Sequence, residues 1–166
     1  MIRHSFSPIR ILSVFAIIGV AVLIYFMLHP KLAITPVQSS DLSAAFGTSF
    51  QLRNNSISVL YELSSSYCVN ALISPDKSAA AAGNLRFGVP NQSVALPDLP
   101  RHDAEALPID DVFSGPPGSQ VDLVFVIRFR PGWWIDLIEK RFRFVGTENQ
   151  DKTWIWNEMP LDSPCG

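Results

Sequence analysis

The stretch that decides the fold is residues 121–130, VDLVFVIRFR, which PGWW follows at 131–134. The apolar residues at every second position are Val121, Leu123, Phe125, Ile127 and Phe129. A period of two predicts a β-strand with one face in a core. The opposite face ends in Arg128 and Arg130, which predicts that this face is exposed to solvent. Pro131 and Gly132 then predict a turn.

Similar alternation elsewhere in the chain predicts more strands. They are expected at 49–53, 56–63, 67–73, 140–145 and 153–158. Asn54 and Asn55 are turn residues, so the strands on either side of them are expected to form a hairpin. Six prolines between 84 and 118 confine shorter candidates at 85–89, 93–96 and 107–113 to sheet edges or loops.

These strands together predict the fold class. About seven short strands without a long amphipathic helix are typical of a β-sandwich. The sequence therefore predicts an all-β domain at 41–166, an antiparallel β-sandwich with immunoglobulin-like topology. In the last hairpin, Phe144 is expected to face Trp154 and Phe142 to face Trp156, because this register places all four aromatic side chains on the buried face.

The N-terminal segment has a different composition. Residues 11–28, ILSVFAIIGVAVLIYFML, contain no charged residue, and as a helix they would extend about 27 Å, close to the hydrocarbon thickness of a bilayer. No small-x-small cleavage site follows, which favours an uncleaved anchor over a signal peptide. The sequence thus predicts a cytoplasmic tail at 1–10, a single transmembrane helix at 11–28 and a stalk at 29–40, where two prolines interrupt any periodicity.

Charge indicates the orientation and the kind of partner. Arg3 and Arg10 precede the apolar segment and Lys31 follows it, which predicts a cytoplasmic N-terminus and a periplasmic or extracellular C-terminal domain. All 15 acidic residues but only 10 of the 13 basic ones lie after residue 40, a formal charge of 10 − 15 = −5. This charge argues against nucleic acid. The expected partners are the lipid bilayer, through 11–28, and another membrane or envelope protein.

The two cysteines, Cys68 and Cys165, would both lie outside the cytoplasm, where disulfides persist. Two arrangements are open: a disulfide that closes a loop of roughly 100 residues, or a buried Cys68 with an unpaired Cys165 near the end of the chain. Asn54 and Asn91 match the glycosylation pattern, and their use depends on the organism.

Catalytic residues do not form a pattern in this sequence. His102 is the one histidine beyond the junction with the apolar segment, and one histidine beside acids is too few for a metal site. Asp110 and Asp111 would point to opposite faces of a strand, and Ser114 lies in a turn-rich loop rather than a nucleophile elbow. The sequence therefore predicts a protein that is not an enzyme and holds no metal or cofactor.

Four arginines are the candidate binding residues. Arg128 and Arg130 share one strand face, and Arg141 and Arg143 share another, so neighbouring strands would line one outer face with four guanidiniums. Two interpretations are open. The face is either simply solvated, with arginine stems covering the valines between them, or a basic strip for an anionic partner or lipid headgroups.

Trp133 and Trp134 follow this strand directly. In a tight turn one indole would be buried and the other exposed, and an exposed tryptophan beside arginines is typical of an interface anchor. The resulting hypothesis is a membrane-anchored binding module, an accessory or assembly subunit of a membrane or envelope complex. The alternative is an ectodomain that binds a small ligand or a glycan through the Pro-rich loops at 90–118.

Overall fold

The computed structural model describes residues 8–38, 48–73, 92–109, 119–132, 135–151 and 153–161. They form one helix, α1 (Pro8–Leu28), and eight strands. The strands are β1 (Leu32–Gln38), β2 (Thr48–Asn54), β3 (Tyr61–Ile73), β4 (Val94–Ala95), β5 (Ala104–Leu107), β6 (Gln120–Arg130), β7 (Ile138–Glu148) and β8 (Trp154–Met159). The candidate strand at 85–89 lies outside the described residues, and so does the part of the candidate at 107–113 that follows residue 109.

The strands form two sheets, in which every pair of neighbours is antiparallel. The small sheet has the order β1-β2-β5, and the large sheet has the order β4-β3-β6-β7-β8. Apolar side chains from both sheets meet in one core, as in a β-sandwich. The predicted all-β antiparallel sandwich is confirmed at this level.

Phe50 of β2 lies at the centre of the core. Its ring centroid is 4.8 Å from that of Phe125, 5.6 Å from Phe144 and 4.9 Å from Trp156. These rings meet at tilted or edge-to-face angles, which aromatic pairs favour. The inner face predicted for β6 is confirmed, because all five of its alternating apolar residues belong to this core.

The predicted hairpin across Asn54 is wrong, because β2 pairs with β1 and β5 and not with β3. The buried Asn54 amide donates to the carbonyls of Ser58 (2.8 Å), Leu99 (3.0 Å) and Pro100 (3.1 Å). Its Oδ1 accepts the backbone N–H of Ser56 at 3.0 Å. Asn54 therefore forms a corner where the chain passes from the small sheet to the large one. A buried amide with three acceptors cannot carry a glycan in this fold.

β3 joins two segments that were predicted as separate strands. Ser64, Ser65 and Ser66 continue the strand between them, where a polar bend was expected. The register shifts between Tyr61 and Ser64, and again between Val69 and Ala71. Such bulges bend a strand without ending it.

The hairpin of β7 and β8 has a different register from the predicted one. Trp154 faces Glu148 and Trp156 faces Gly146, so the pairing is shifted by four residues along β7. An even shift keeps the aromatic side chains on the inner face. Gly146 explains the register, because a Cβ at this position would lie 2.6–2.8 Å from three carbons of the Trp156 indole.

Residues 32–38, inside the segment predicted as a stalk, form β1 of the small sheet. The alternation of Leu32, Ile34 and Pro36 indicates this strand in the sequence, and Ile34 is buried in the core. The prolines in this segment indicated an irregular structure. However, β1 lies at the edge of its sheet, where the missing backbone N–H of Pro36 is tolerated. Only three residues therefore lie between the end of α1 and the start of the β-domain.

The helix α1 covers the predicted apolar segment and extends it to 21 residues. The structure describes its side chains from 12 to 25, and the large apolar ones among them are exposed. Among the described residues, no helix is both long and apolar enough to cross a membrane. The transmembrane helix stays a prediction, and the association of α1 with lipid belongs to the proposals below.

Candidate functional site

The candidate site is the outer face of the large sheet, opposite the core. In the pairing of β6 with β7, Arg128 faces Glu139, Val126 faces Arg141 and Val124 faces Arg143. Because paired residues in neighbouring strands project to the same side of a sheet, these arginines share the outer face. Arg130 follows two residues after Arg128 and lies on the same face. We call these four residues the arginine cluster.

The valines between the arginines are buried although they face outward. Val124 and Val126 are both buried, and each is paired with an arginine of β7. Arginine stems are long enough to cover such apolar surface while the guanidinium stays in water. The outer face is therefore an apolar layer beneath a charged one.

Arg143 has a structural partner. It makes a two-pronged contact with Asp122, with Nε donating to Oδ1 at 3.0 Å and Nη2 donating to Oδ2 at 2.8 Å. Asn70 donates to the same carboxylate at 3.0 Å. The hydrogen bond with Asp122 raises the pKa of Arg143. The two side chains are only 16% and 10% exposed, so Arg143 joins β6 to β7 rather than facing a partner.

Arg128 and Arg141 share one carboxylate. Arg128 Nε lies 2.9 Å from Glu139 Oε2, and Arg141 Nε lies 2.7 Å from Glu139 Oε1. The hydrogen bonds from Arg141 and then Arg128 lower the pKa of Glu139. The two arginine side chains are 51% and 38% exposed. Two accessible guanidiniums thus share the Glu139 carboxylate.

Arg130 pairs with Glu62, which no pattern in the sequence connects to the arginine cluster. Its Nε lies 2.8 Å from Glu62 Oε2, but the N–H is not directed at an acceptor, so the contact is electrostatic rather than a hydrogen bond. Glu62 lies in the first bulge of β3 and has a φ of 49°. A bulge redirects side chains, and the alternation of residues does not reveal it in advance.

Trp133 and Trp134, the predicted anchors, lie outside the described residues. Pro131 and Gly132 before them are buried, and the Ile135 N–H donates to the Gly132 carbonyl at 3.1 Å. The predicted turn, with Pro131 and Gly132 at its centre, includes Trp133 and therefore lies partly outside the described residues.

Cys68 lies on the outer face of β3 opposite Val124, and both are buried. Cys68 is disulfide-bonded. Cys165, the only other cysteine of the chain, lies outside the described residues and remains the predicted partner. Mass spectrometry of peptides from the non-reduced protein tests this pairing, and a peptide linking residues 68 and 165 is expected.

His102 is exposed in the loop before β5, with a φ of 65°. Its backbone N–H donates to the Asn54 carbonyl at 2.9 Å. Within the described ranges, no three His, Cys, Asp or Glu side chains are placed to hold a metal ion. The Asp110–Asp111 pair lies outside those ranges.

A cavity of about 430 Å³ opens beside the edge strand β4. It is lined by Ser65, Ser66, Tyr67, Gln92, Ser93, Val94 and Pro108. Gln92 and Ser93 directly precede β4, and Val94 begins it, so these three residues belong to the Pro-rich region. His102 is not among the residues that line the cavity. The lining combines hydroxyl and amide groups with a similar amount of apolar surface and contains no charged residue, which suits a neutral ligand better than a charged one.

No family model matches the chain, and no significant similarity to a curated protein or to a solved structure was found.

Proposed function

We propose that the chain is a membrane-associated binding module without enzymatic activity, an accessory or assembly subunit of a membrane or envelope complex. Its contact surface is the exposed part of the arginine cluster, formed by Arg128, Arg130 and Arg141. Trp133 and Trp134, which follow Arg130 after Pro131 and Gly132, complete this surface. The partner is a membrane or envelope protein that presents carboxylates.

One observation carries this proposal: two accessible guanidiniums share Glu139. A partner carboxylate can bind to the exposed edges of Arg128 and Arg141 without breaking the fold, because guanidinium offers five donors in a fork that fits carboxylates. The exposed ion pairs here contribute little to stability, so exchanging one acceptor for another costs the domain little.

The lipid association rests on α1. Its 21 residues correspond to a helix about 31 Å long, and residues 11–28 contain no charged residue. The exposed apolar side chains are distributed along the helix from Leu12 to Tyr25, and in water this surface would be unfavourable. We place the N-terminus in the cytoplasm and the β-domain in the periplasm or outside the cell.

The contact surface is tested by neutralising it. Arg128→Gln with Arg141→Gln removes the two exposed charges and keeps most of the side-chain volume. Arg53→Gln with Arg101→Gln is the matched control, because these arginines are exposed away from the outer face of the large sheet. Proteins that co-purify with the wild-type full chain from native membranes are identified first. The first pair of substitutions is expected to abolish their recovery and the control pair to preserve it.

Equal recovery with both double variants would refute this contact surface. The thermal midpoint of each variant shows whether it is folded, so a loss of partner through unfolding is recognised. The orientation is tested separately by adding protease outside spheroplasts. Digestion of the β-domain is expected, and complete protection would contradict the proposed location.

For the finer topology we propose an immunoglobulin-like arrangement. Support comes from the consecutive strands β6, β7 and β8 in one sheet and from the change of sheet between β2 and β3. Nuclear Overhauser contacts that assign the strands differently to the two sheets would contradict it.

The second candidate function is supported by the cavity beside β4. Its lining includes Gln92, Ser93 and Pro108, which belong to the Pro-rich loops at 90–118. A thermal-shift screen with neutral sugars and small polar ligands tests this function. Ser93→Trp, which fills the cavity, should abolish any stabilisation that the wild type shows, whereas Gln51→Trp, on the exposed face of β2, should not.

A further inference from the structure

The junction between α1 and β1 is short and held by defined contacts. Only residues 29–31 separate the two elements. On the helix side, the His29 backbone N–H donates to the Tyr25 carbonyl at 3.1 Å, and the two rings stack with centroids 4.4 Å apart. These contacts continue the last turn of the helix up to the first residue of the junction.

The domain side of the junction is fixed as well. The Lys140 ammonium of β7 donates to the carbonyl of the buried Pro30, and burial lowers the pKa of Lys140. The Asn55 backbone N–H donates to the Lys31 carbonyl at 2.8 Å. Both sheets therefore hold the junction, the small one through the Asn54 corner and the large one through β7. No flexible stalk separates α1 from the sandwich.

This short connection limits how far the sandwich can stand from a lipid surface. The four residue steps from Leu28 to Leu32 reach at most about 14 Å when fully extended. The polar layer of a bilayer is roughly 5–7 Å thick on each side of the hydrocarbon. If the end of α1 lies at the hydrocarbon boundary, the sandwich must begin within or directly above the headgroups.

Two exposed apolar side chains lie at this end of the sandwich. Ile57 lines a cleft of about 100 Å³ together with His29 and Lys31 of the junction. Leu137 directly precedes β7. Lys140, the third residue of β7, contacts Pro30 of the junction. Ile57 is 47% exposed and Leu137 is 50% exposed. Lys31 is also exposed here, and a lysine beside a membrane helix can direct its ammonium to phosphate groups.

We infer that the end of the sandwich that carries the helix junction rests on the lipid surface, with Ile57 and Leu137 in the headgroup layer. This inference rests on the proposed association of α1 with lipid. It adds that the β-domain itself is a lipid-contacting surface with a fixed orientation. The outer face of the large sheet then stands upright on the membrane, with Arg128 and Arg130 close to the lipid and Arg143 further away.

The test uses the full chain reconstituted in vesicles of phosphatidylcholine and phosphatidylglycerol. An environment-sensitive fluorescent amino acid replaces Ile57, Leu137 or Ile155, one position in each protein. Ile155 is the matched control, because it is 52% exposed but lies toward the opposite end of the sheet, paired with Thr147. Quenching by lipids that carry a quencher near the headgroup is expected at positions 57 and 137, with emission shifted to shorter wavelength. At position 155 neither effect is expected.

The outcomes separate this inference from the proposal on which it depends. If the chain does not float with the vesicles, both the lipid association and the inference are overturned. If it floats and positions 57 and 137 behave like 155, only the inference is overturned. Quenching at all three positions also overturns it, because the sandwich would then have no fixed orientation on the lipid. Thermal unfolding of each labelled protein in detergent checks that the label leaves the fold intact.

Discussion

The two faces of the large sheet come from alternate residues of the same strands, yet different interactions dominate them. On the inner face, Phe125 and Phe144 meet Phe50 of the small sheet in a dry aromatic cluster. On the outer face, Val124 and Val126 are just as buried, but the layer above them consists of paired arginines. Both faces exclude water from the sheet, and only one of them keeps charge at the surface.

This difference separates stability from recognition. The inner face depends on shape, so a change in volume there should affect folding strongly. The exposed part of the outer face depends on ion pairs, which are weak at a surface. It can therefore change partners at small cost to the fold. Substitutions on the two faces should fall into two classes of effect, which the following predictions test from the largest to the smallest.

The largest effect is expected for Phe125→Ala on the inner face. Loss of a buried phenyl group typically costs about 3–5 kcal/mol of unfolding free energy, because a cavity remains. The neighbouring Val124→Ala, on the outer face, should cost about 1–2 kcal/mol, since roughly two methyl-sized groups are lost. Urea denaturation of both variants measures the difference. Equal losses would mean that the outer layer is packed as firmly as the core.

Gly146→Ala comes next, and it tests the register of the last hairpin. The new Cβ would meet the Trp156 indole at 2.6–2.8 Å. That indole is held by a 3.1 Å hydrogen bond from Nε1 to Thr48 Oγ1 and by stacking on Trp154, so it cannot move aside freely. Overpacking of this kind costs about 1–3 kcal/mol.

The control for Gly146→Ala is the double variant with Trp156→Ala. If the clash is the cause, the two losses should be clearly less than additive. Fully additive losses would contradict the observed register. Thr147→Ala, at the exposed neighbouring position, should have little effect.

These residues show which features a sequence reveals. The strand β6 and its two faces follow from a local period of two, and no other part of the chain can change that pattern. The partner of a strand is less local. Gly146 lies within an alternating strand pattern. Its role, leaving room for the Trp156 indole, becomes clear only when Trp156 is known to lie opposite. The sequence therefore predicts correctly the face of the four aromatic residues in the last hairpin, but not the register of that hairpin.

Features that depend on distant segments could not be predicted. Asn54 has the composition of a hairpin turn, but its amide binds carbonyls 45 and 46 residues further along the chain, which turns the hairpin into a corner between sheets. Glu62 reaches Arg130 only because of a bulge in β3. For the arginine cluster, the alternation of residues predicts which arginines share the outer face. It does not predict which carboxylate each arginine contacts, and that contact decides whether the ion pair is mostly buried, as for Arg143, or exposed, as for Arg128 and Arg141.

Arg143→Met tests that division within the outer face. The variant leaves Asp122 without its two-pronged partner, and a mostly buried charge that loses its partner is unfavourable. A loss of about 1–2 kcal/mol is expected, less than for a fully buried pair because both side chains keep some contact with water. Arg141→Met, at the more exposed position, should cost less than about 1 kcal/mol. The reverse order of the two thermal midpoints would contradict the assignment of Arg143 to structure.

The smallest effect on stability is expected for Glu139→Gln, and it depends on pH. The pKa of Glu139 is lowered in the folded protein from its usual 4.5, so its ion pairs stabilise the fold above that pH and are lost as the pH falls through the folded pKa. Because the partners are exposed, the stabilisation should stay below about 1 kcal/mol. The difference in thermal midpoint between wild type and variant should disappear at acid pH.

If Glu139 competes with a partner carboxylate for Arg128 and Arg141, the same variant should bind that partner more tightly at neutral pH. Unchanged partner binding would show that these ion pairs serve the fold alone.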